Sequence, residues 1–287
     1  AGPRQNGWGT GRLPAMPDPQ LDLDRYRIAA RATVDLDDHP TDDTAGFDKD
    51  TAKTATAALG ERLTDLQAKL YAQGTRRVLL VIQAMDTGGK DGLIKSLFLP
   101  VNPQGVRIAS FKAPTEIELH HDFLWRVHSQ VPANGELVVF NRSHYEDVLI
   151  VRVHELVPEQ IWRRRYGHIR AFEELLADEG TTIVKFFLHI SKDEQRKRLQ
   201  ARLDDPARNW KFNEGDLAER KLWDDYQDAF TDMLNKTSTE RAPWYVVPAD
   251  NKWYRDHVVA NVMLETLDGL KMAYPTCTID VANTKVE

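Results

Sequence analysis

With a single cysteine in 287 residues, Cys277, the chain has no means of building an intramolecular disulfide framework, which fits a reducing compartment. Long apolar runs are missing too: stretches such as residues 78–82 fall far short of the roughly 20 apolar residues a membrane span needs. The first residues, Ala1-Gly2-Pro3-Arg4, lack the basic-then-apolar pattern of a secretory signal, and a cytoplasmic protein off the membrane is expected. Nor is there a surplus of positive charge. The formal net charge of −6 gives no global field to attract nucleic acid, so no nucleic-acid partner is expected, and a polyanionic substrate would need a local cationic groove.

One stretch could supply that groove. Between residues 192 and 211 the cations Lys192, Arg196, Lys197, Arg198, Arg202, Arg208 and Lys211 outnumber the acids Asp193, Glu194, Asp204 and Asp205. Taken alone, such a run reads as a solvated helix face.

Residues 1–50 are rich in Gly, Pro and acidic turn formers and read as an irregular N-terminal extension. A helix follows over 51–73, with Leu59, Leu63, Leu66 and Leu70 on one face and Gly74 as its stop. Apolar, β-branched runs at 77–83, 106–111, 136–140, 182–190 and 244–247 then alternate with helical segments near 89–98, 116–130, 158–179, 192–203, 214–236 and 252–272. That alternation predicts a five-stranded parallel sheet covered by helices on both faces. One α/β domain over 51–287 is expected, with the Leu59–Leu70 helix as an N-terminal helical extension.

The strongest local signal is a buried strand running into Ala84-Met85-Asp86-Thr87-Gly88-Gly89-Lys90-Asp91-Gly92 and then a helix. A P-loop needs this context: backbone N–H groups at the helix start cradle phosphate oxygens, a lysine bridges them, and glycines let the backbone approach the anion. Ala84 occupies the usual first glycine position, and Asp91 replaces the Ser or Thr that ordinarily holds Mg²⁺. An acid inside a phosphate cradle is repulsive unless a cation intervenes, so Asp86 points to metal binding.

A second strand end carries Asn141-Arg142-Ser143-His144-Tyr145-Glu146-Asp147, at the carboxyl edge where open α/β sheets bind ligands. Arg142 could grip a phosphate bidentately, with Glu146 and Asp147 nearby; without a P-loop, Asn141 and Ser143 would read as helix caps. After the strand at 182–190 comes Ser191-Lys192-Asp193-Glu194, a capping box, then the basic run and Asp205-Pro206-Ala207-Arg208-Asn209-Trp210-Lys211. In a small-molecule kinase a basic lid follows this strand and closes over the transferring phosphate, so the segment at about 192–236 reads as a helical lid. His120, His121, His128, His144 and His154 lack the spacing of zinc sites such as His-Glu-x-x-His and are expected to have packing or surface roles.

Together with Val101-Asn102-Pro103-Gln104-Gly105 and Phe123-Leu124-Trp125-Arg126, the loop, strand-end and lid motifs resemble the family-2 polyphosphate kinases over roughly residues 45–270. The resemblance implies a thymidylate-kinase-like, three-layer P-loop fold. It further implies a reversible phosphotransferase moving phosphate between inorganic polyphosphate and AMP, ADP and ATP, with Mg²⁺ (or Mn²⁺ in its place), in a homo-oligomer of two or four chains. By motif, Asp86, Lys90, Arg142 and Arg208 are the expected catalytic residues, and Asp86 and Asp147 the metal-side acids. Gly88, Gly89, Lys90, Asp91, Gly92, Lys95, Arg142, Arg208 and Lys211 would line the polyphosphate, and Glu118, Asp122, Arg126 and Asn141 the nucleotide. Asn141 stands where many relatives have aspartate; the chain is similar to the branch that phosphorylates both AMP and ADP. Two rival readings remain: an ATP-using nucleotide or nucleoside kinase of the same fold, and a P-loop protein that binds polyphosphate or nucleotide without turning it over. Polyphosphate or ATP as sole donor separates the first; the retained Asp86 and Lys90 argue against the second.

Overall fold

In the structure, a computed structural model, residues 21–98, 101–280, 283, 284 and 286 are described. Asp48 starts helix α1 (Lys49–Gln73) by accepting from the backbone N–H groups of Asp50 and Thr51, and Gly74 ends it. Its leucine stripe lies buried against α10 (Lys252–Gly269), fastened by Arg62 to Asp268 at 2.8 Å, so this face is used inside the chain. Strand β2 (Arg77–Ala84) and helix α2 (Lys90–Phe98) flank the glycine loop.

The remaining elements follow the expected alternation: β3 (Val106–Ser110), β4 (Leu137–Asn141), α6 (Glu159–Asp178), β5 (Thr181–His189), α7 (Lys192–Asp204) and β6 (Trp244–Pro248). Two expected helices are each broken. The segment at 116–130 splits into α3 (Glu116–Leu119) and α4 (Trp125–His128), because Asp122 turns its carboxylate onto the Leu124 N–H at 3.0 Å and competes with the helix. The segment at 214–236 splits at Leu222 into α8 (Glu214–Lys221) and α9 (Trp223–Thr237). A further short helix, α5 (Ile150–Val153), precedes α6.

The sheet has six strands in the order β1-β6-β5-β2-β4-β3 and is mixed, not a five-stranded parallel one. The extra strand, β1 (Arg27–Ile28), pairs antiparallel with β6 at the edge, while the other pairings are parallel. Two residues carry too little pattern to announce a strand, and β1 exists because β6 offers it an edge. Residues 21–48 fold onto the same core through Leu21, Tyr26, Ile28, Val34 and Leu36, with the Tyr26 and Tyr254 hydroxyls 2.6 Å apart. Residues 1–20 of the expected extension lie outside the described residues. Helices α1, α2 and α10 form one layer; α5, α6 and α9 form the other. Among the described residues no helix is long and apolar enough to cross a membrane.

The layer of α6 and α9 holds the one charge in β5. Lys185 donates to Glu173 of α6 at 2.6 Å, to the Tyr145 hydroxyl at 2.8 Å and to the Thr237 carbonyl at 2.9 Å, so the buried cation is fully partnered. At the end of β5, His189 is 7% exposed, and burial drives its pKa from 6.5 to about 4, with nearby His39 adding to the shift. The folded state therefore favours the neutral ring, a contribution present above pH 6.5 and lost as pH falls towards 4, worth roughly 3 kcal/mol. Melting followed by circular dichroism between pH 7 and 4 is expected to show a steeper fall for the wild-type chain than for His189→Gln; parallel curves would refute the assignment.

Candidate active site

The loops that leave the carboxyl ends of β2, β4 and β5 meet at one edge of the sheet, with β2 central between β4 and β5. There a cleft of about 540 Å³ is lined by the loop 86–89, Lys90, Asp91, Asn141, Arg142, Arg202 and residues 110–113. Its floor is tight. A Cβ on Gly88 would stand 2.5 Å from that of Ala84, and Gly89, at φ 99°, would drive one into the Arg255 guanidinium. Ala84 at the usual first glycine position therefore needs Gly88 opposite it.

Lys90 Nζ folds back over the loop and donates to the Ala84 carbonyl at 2.9 Å and the Met85 carbonyl at 3.4 Å. Burial lowers its pKa and Arg142 adds to that, while Asp86 and Glu146 pull the other way. Arg142 takes up a left-handed backbone at φ 60° and reaches Asp86 Oδ1 at 2.7 Å and Glu146 Oε2 at 3.5 Å. Burial works against its charge, but Glu146 and Asp86 outweigh it and hold the guanidinium protonated. Burial raises the pKa of Glu146, opposed by Arg142 and Lys90. Behind the Asp86–Arg142 pair lies a second pocket of about 270 Å³, with Glu146, Asp216, Glu219 and Tyr226 on its walls.

Of the residues expected at this site, Asp86, Gly88, Gly89, Lys90, Asp91 and Arg142 come together in the cleft, and Gly92 sits in the first turn of α2 just behind. Asn141, expected at the nucleotide, donates to Asp91 at 2.9 Å beside the loop. Lys95 points to solvent on α2 and does not line the cleft. Asp147 is not brought to Asp86: its carboxylate accepts from Arg165 of α6 at 2.8 Å, and burial raises its pKa to about 6. Arg208, the expected lid arginine, is 70% exposed and paired with Asp205 at 3.1 Å. Arg202, six residues earlier in α7, lines the cleft in its place. The Lys211 side chain lies outside the described residues. Arg126 stands 3.7 Å from Glu118 and holds the Lys112 carbonyl at 2.8 Å, whereas Asp122 lines a separate surface pocket with Arg164, Arg165 and His168.

Several cleft residues escaped the sequence reading. Lys112 and Ala113 follow a strand end, the same signal that exposed Arg142, and could have been found by it. Gln195 and Arg198, from the basic run, donate to the Asp86 and Thr87 carbonyls at 3.1 Å each, and Arg255 donates to the Gly89 carbonyl at 3.1 Å. Nothing local marks Arg255, which opens the last helix.

The arrangement suits a phosphate chain. Helix α2 presents unpaired N–H groups and its positive end to the cleft, flanked by Lys90, Arg142, Arg202 and Lys112. Among the described residues no group of three or more His, Cys, Asp or Glu side chains could hold a metal ion alone. Magnesium, however, keeps waters and takes one or two carboxylates plus substrate phosphates, and Asp86 in the cleft wall fits that mode of binding.

The model of the family Polyphosphate kinase 2 (PPK2) matches residues 46–275. An AMP/ADP-polyphosphate phosphotransferase from Meiothermus ruber is 58% identical over 255 residues, covering 88% of this chain and 96% of that one. An ADP-polyphosphate phosphotransferase from Rhodopseudomonas palustris is 48% identical, covering 88% of this chain and 92% of its own length. The crystal structure of polyphosphate kinase 2 from Arthrobacter aurescens TC1 superposes with a TM-score of 0.88 at 47% identity, over 94% of this chain and 95% of that one.

Proposed function

The chain belongs to the polyphosphate kinase 2 family, and we propose that it carries out phosphoryl transfer between inorganic polyphosphate and adenine nucleotides in the cleft beside Lys90, converting AMP to ADP and ADP to ATP, and back. The observation that carries the placement is the convergence of Lys90, Arg142 and Arg202 with the start of α2 around one cleft, a cationic patch on a chain of net charge −6. In this reading the polyphosphate lies along these groups, and the nucleotide enters from the side of Lys112, Glu118 and Arg126.

The protein's part is positioning and charge neutralisation. Lys90 turns from its own carbonyls onto a phosphate oxygen, and Arg142 exchanges part of its grip on Asp86 for the transferring group. Asp86, so freed, would hold Mg²⁺ together with phosphate oxygens; the ion supplies charge neutralisation at the reacting oxygens. Lid residues 192–236, with Arg208 at their outer turn, close over the cleft and exclude water. The P-loop, magnesium, a homo-oligomer and a cytoplasmic setting, in keeping with the single Cys277, belong to the same reading.

The test uses purified protein, long-chain polyphosphate and Mg²⁺, with AMP or ADP as acceptor and products separated by chromatography. ADP is expected from AMP and ATP from ADP, both abolished by chelation. Turnover with ATP but not polyphosphate as donor would instead support the ATP-using kinase, and binding without turnover the regulator.

A further inference from the structure

Three carbonyls of the phosphate loop are held by side chains from distant parts of the chain. Gln195 donates to Asp86 O, Arg198 to Thr87 O and Arg255 to Gly89 O, each at 3.1 Å, across 109, 111 and 166 residues of sequence. All three side chains are buried, at 1%, 8% and 2% exposure. We propose that Gln195, Arg198 and Arg255 are positioning residues that set the peptide planes of loop 86–89, making the base of the lid helix and the phosphate loop one mechanical unit. The inference rests on the reading of this loop as the polyphosphate site.

In a trans peptide the N–H points opposite to the C=O. Holding the Asp86 carbonyl from α7 therefore turns the Thr87 N–H away from α7, and Arg255 adds a hold from α10 on the Gly89 carbonyl, which the Leu93 N–H of α2 also takes at 3.0 Å, so the Lys90 N–H points back out of the helix start. A flipped plane would instead present a carbonyl oxygen to the phosphate. Flipping is a real hazard here, because Thr87 sits at φ 63°, a conformation that persists in a residue with a Cβ only where its surroundings over-determine it. The clasps are themselves anchored elsewhere. Arg198 also grips Glu194 at 2.7 Å and the Ala249 and Asp250 carbonyls, Arg255 is held by Asp256 at 2.5 Å, and Gln195 accepts from Arg220 of α8 at 2.9 Å. Because Gln195 and Arg198 belong to α7, the lid cannot shift at its root without moving the loop.

A purely structural role predicts lost stability with unchanged phosphate affinity; a positioning role predicts the reverse emphasis. Removing Arg255 outright strands Asp256, so the test uses Gln195→Met, which is neutral, and Arg255→Lys, which keeps the charge but loses the fork geometry. For the full chain, calorimetry with sodium tripolyphosphate gives Kd, steady-state kinetics with long-chain polyphosphate at saturating ADP give kcat and KM, and ligand-free melting reports stability. Each variant is expected to raise the tripolyphosphate Kd and polyphosphate KM about tenfold and to lower kcat, with ADP KM unchanged within about twofold. Wild-type tripolyphosphate affinity in both variants, whether or not melting drops, overturns the inference, as does an equal rise in ADP KM. A wild-type chain inert towards polyphosphate would overturn the functional reading instead.

Discussion

Lys90→Ala is expected to lower turnover of polyphosphate with ADP by at least about a hundredfold, equivalent to roughly 3 kcal/mol of transition-state stabilisation, while moving the melting temperature by only a few degrees. The asymmetry follows from what Lys90 does without substrate. Its ammonium is half-buried and donates to two carbonyls of its own loop, and one of these, Met85 O, also accepts from the Gly88 N–H at 2.9 Å. Removing Nζ therefore strands little. Burial and Arg142 lower the pKa of this lysine, so its charge is costly until a polyanion enters the cleft and stabilises it. Lys90 is thus worth more with phosphate bound than without. Lys90→Arg is expected to recover only part of the rate, because a planar fork cannot replace a compact ammonium against the Ala84 and Met85 carbonyls. Initial rates and melting curves on the same sample decide it: a collapsed melting temperature with normal specific activity in the folded fraction would make the lysine structural.

Arg142→Ala is expected to cost about 10³-fold in turnover, near 4 kcal/mol, the scale of an arginine that meets charge spreading over a transferring phosphoryl group. This variant should also carry a pH signature that Lys90→Ala lacks. Arg142 bridges Asp86 and Glu146, and Glu146 already has a raised pKa through burial. For an acid whose folded pKa lies above its ordinary value, the folded state holds the proton more tightly, so stability falls as pH rises through that window. Loss of Arg142 removes the main force opposing the shift. The variant should therefore melt lower relative to wild type at pH 8 than at pH 5, and adding Glu146→Gln should close the gap. An equal difference at both pH values would mean that Arg142 does not hold Glu146, and retained turnover would remove Arg142 from the chemistry.

Much of this molecule is legible from local pattern. Strands β2, β4, β5 and β6 fall within about two residues of their apolar runs because a strand buried on both faces must be apolar along its length, and β3, half exposed at the sheet edge, is still marked by its β-branched residues. The α1 boundaries follow from Asp48 and Gly74, whose side chain and backbone satisfy helix ends within one turn. Gly88-Gly89-Lys90 between a strand and a helix marked the cleft, since only glycine fits there. Where local rules compete, the reading slipped: Asp122 broke one helix, and Leu222 interrupts another with no sequence signal.

What the sequence by itself determined was therefore the alternation of strands and helices, the family, and the loop and strand end that carry Asp86, Lys90 and Arg142. Only the tertiary structure decided which charges meet. It joined β1 to the sheet edge, gave Asp147 to Arg165, brought Arg202 to the cleft ahead of Arg208, and set Gln195, Arg198 and Arg255 on the loop's carbonyls. The division has one physical cause. Caps, turns and helical or strand periodicity are hydrogen-bonding and packing rules that act within a few residues, whereas a charge or donor finds its partner by proximity across the fold, and no local pattern records a contact made 166 residues away.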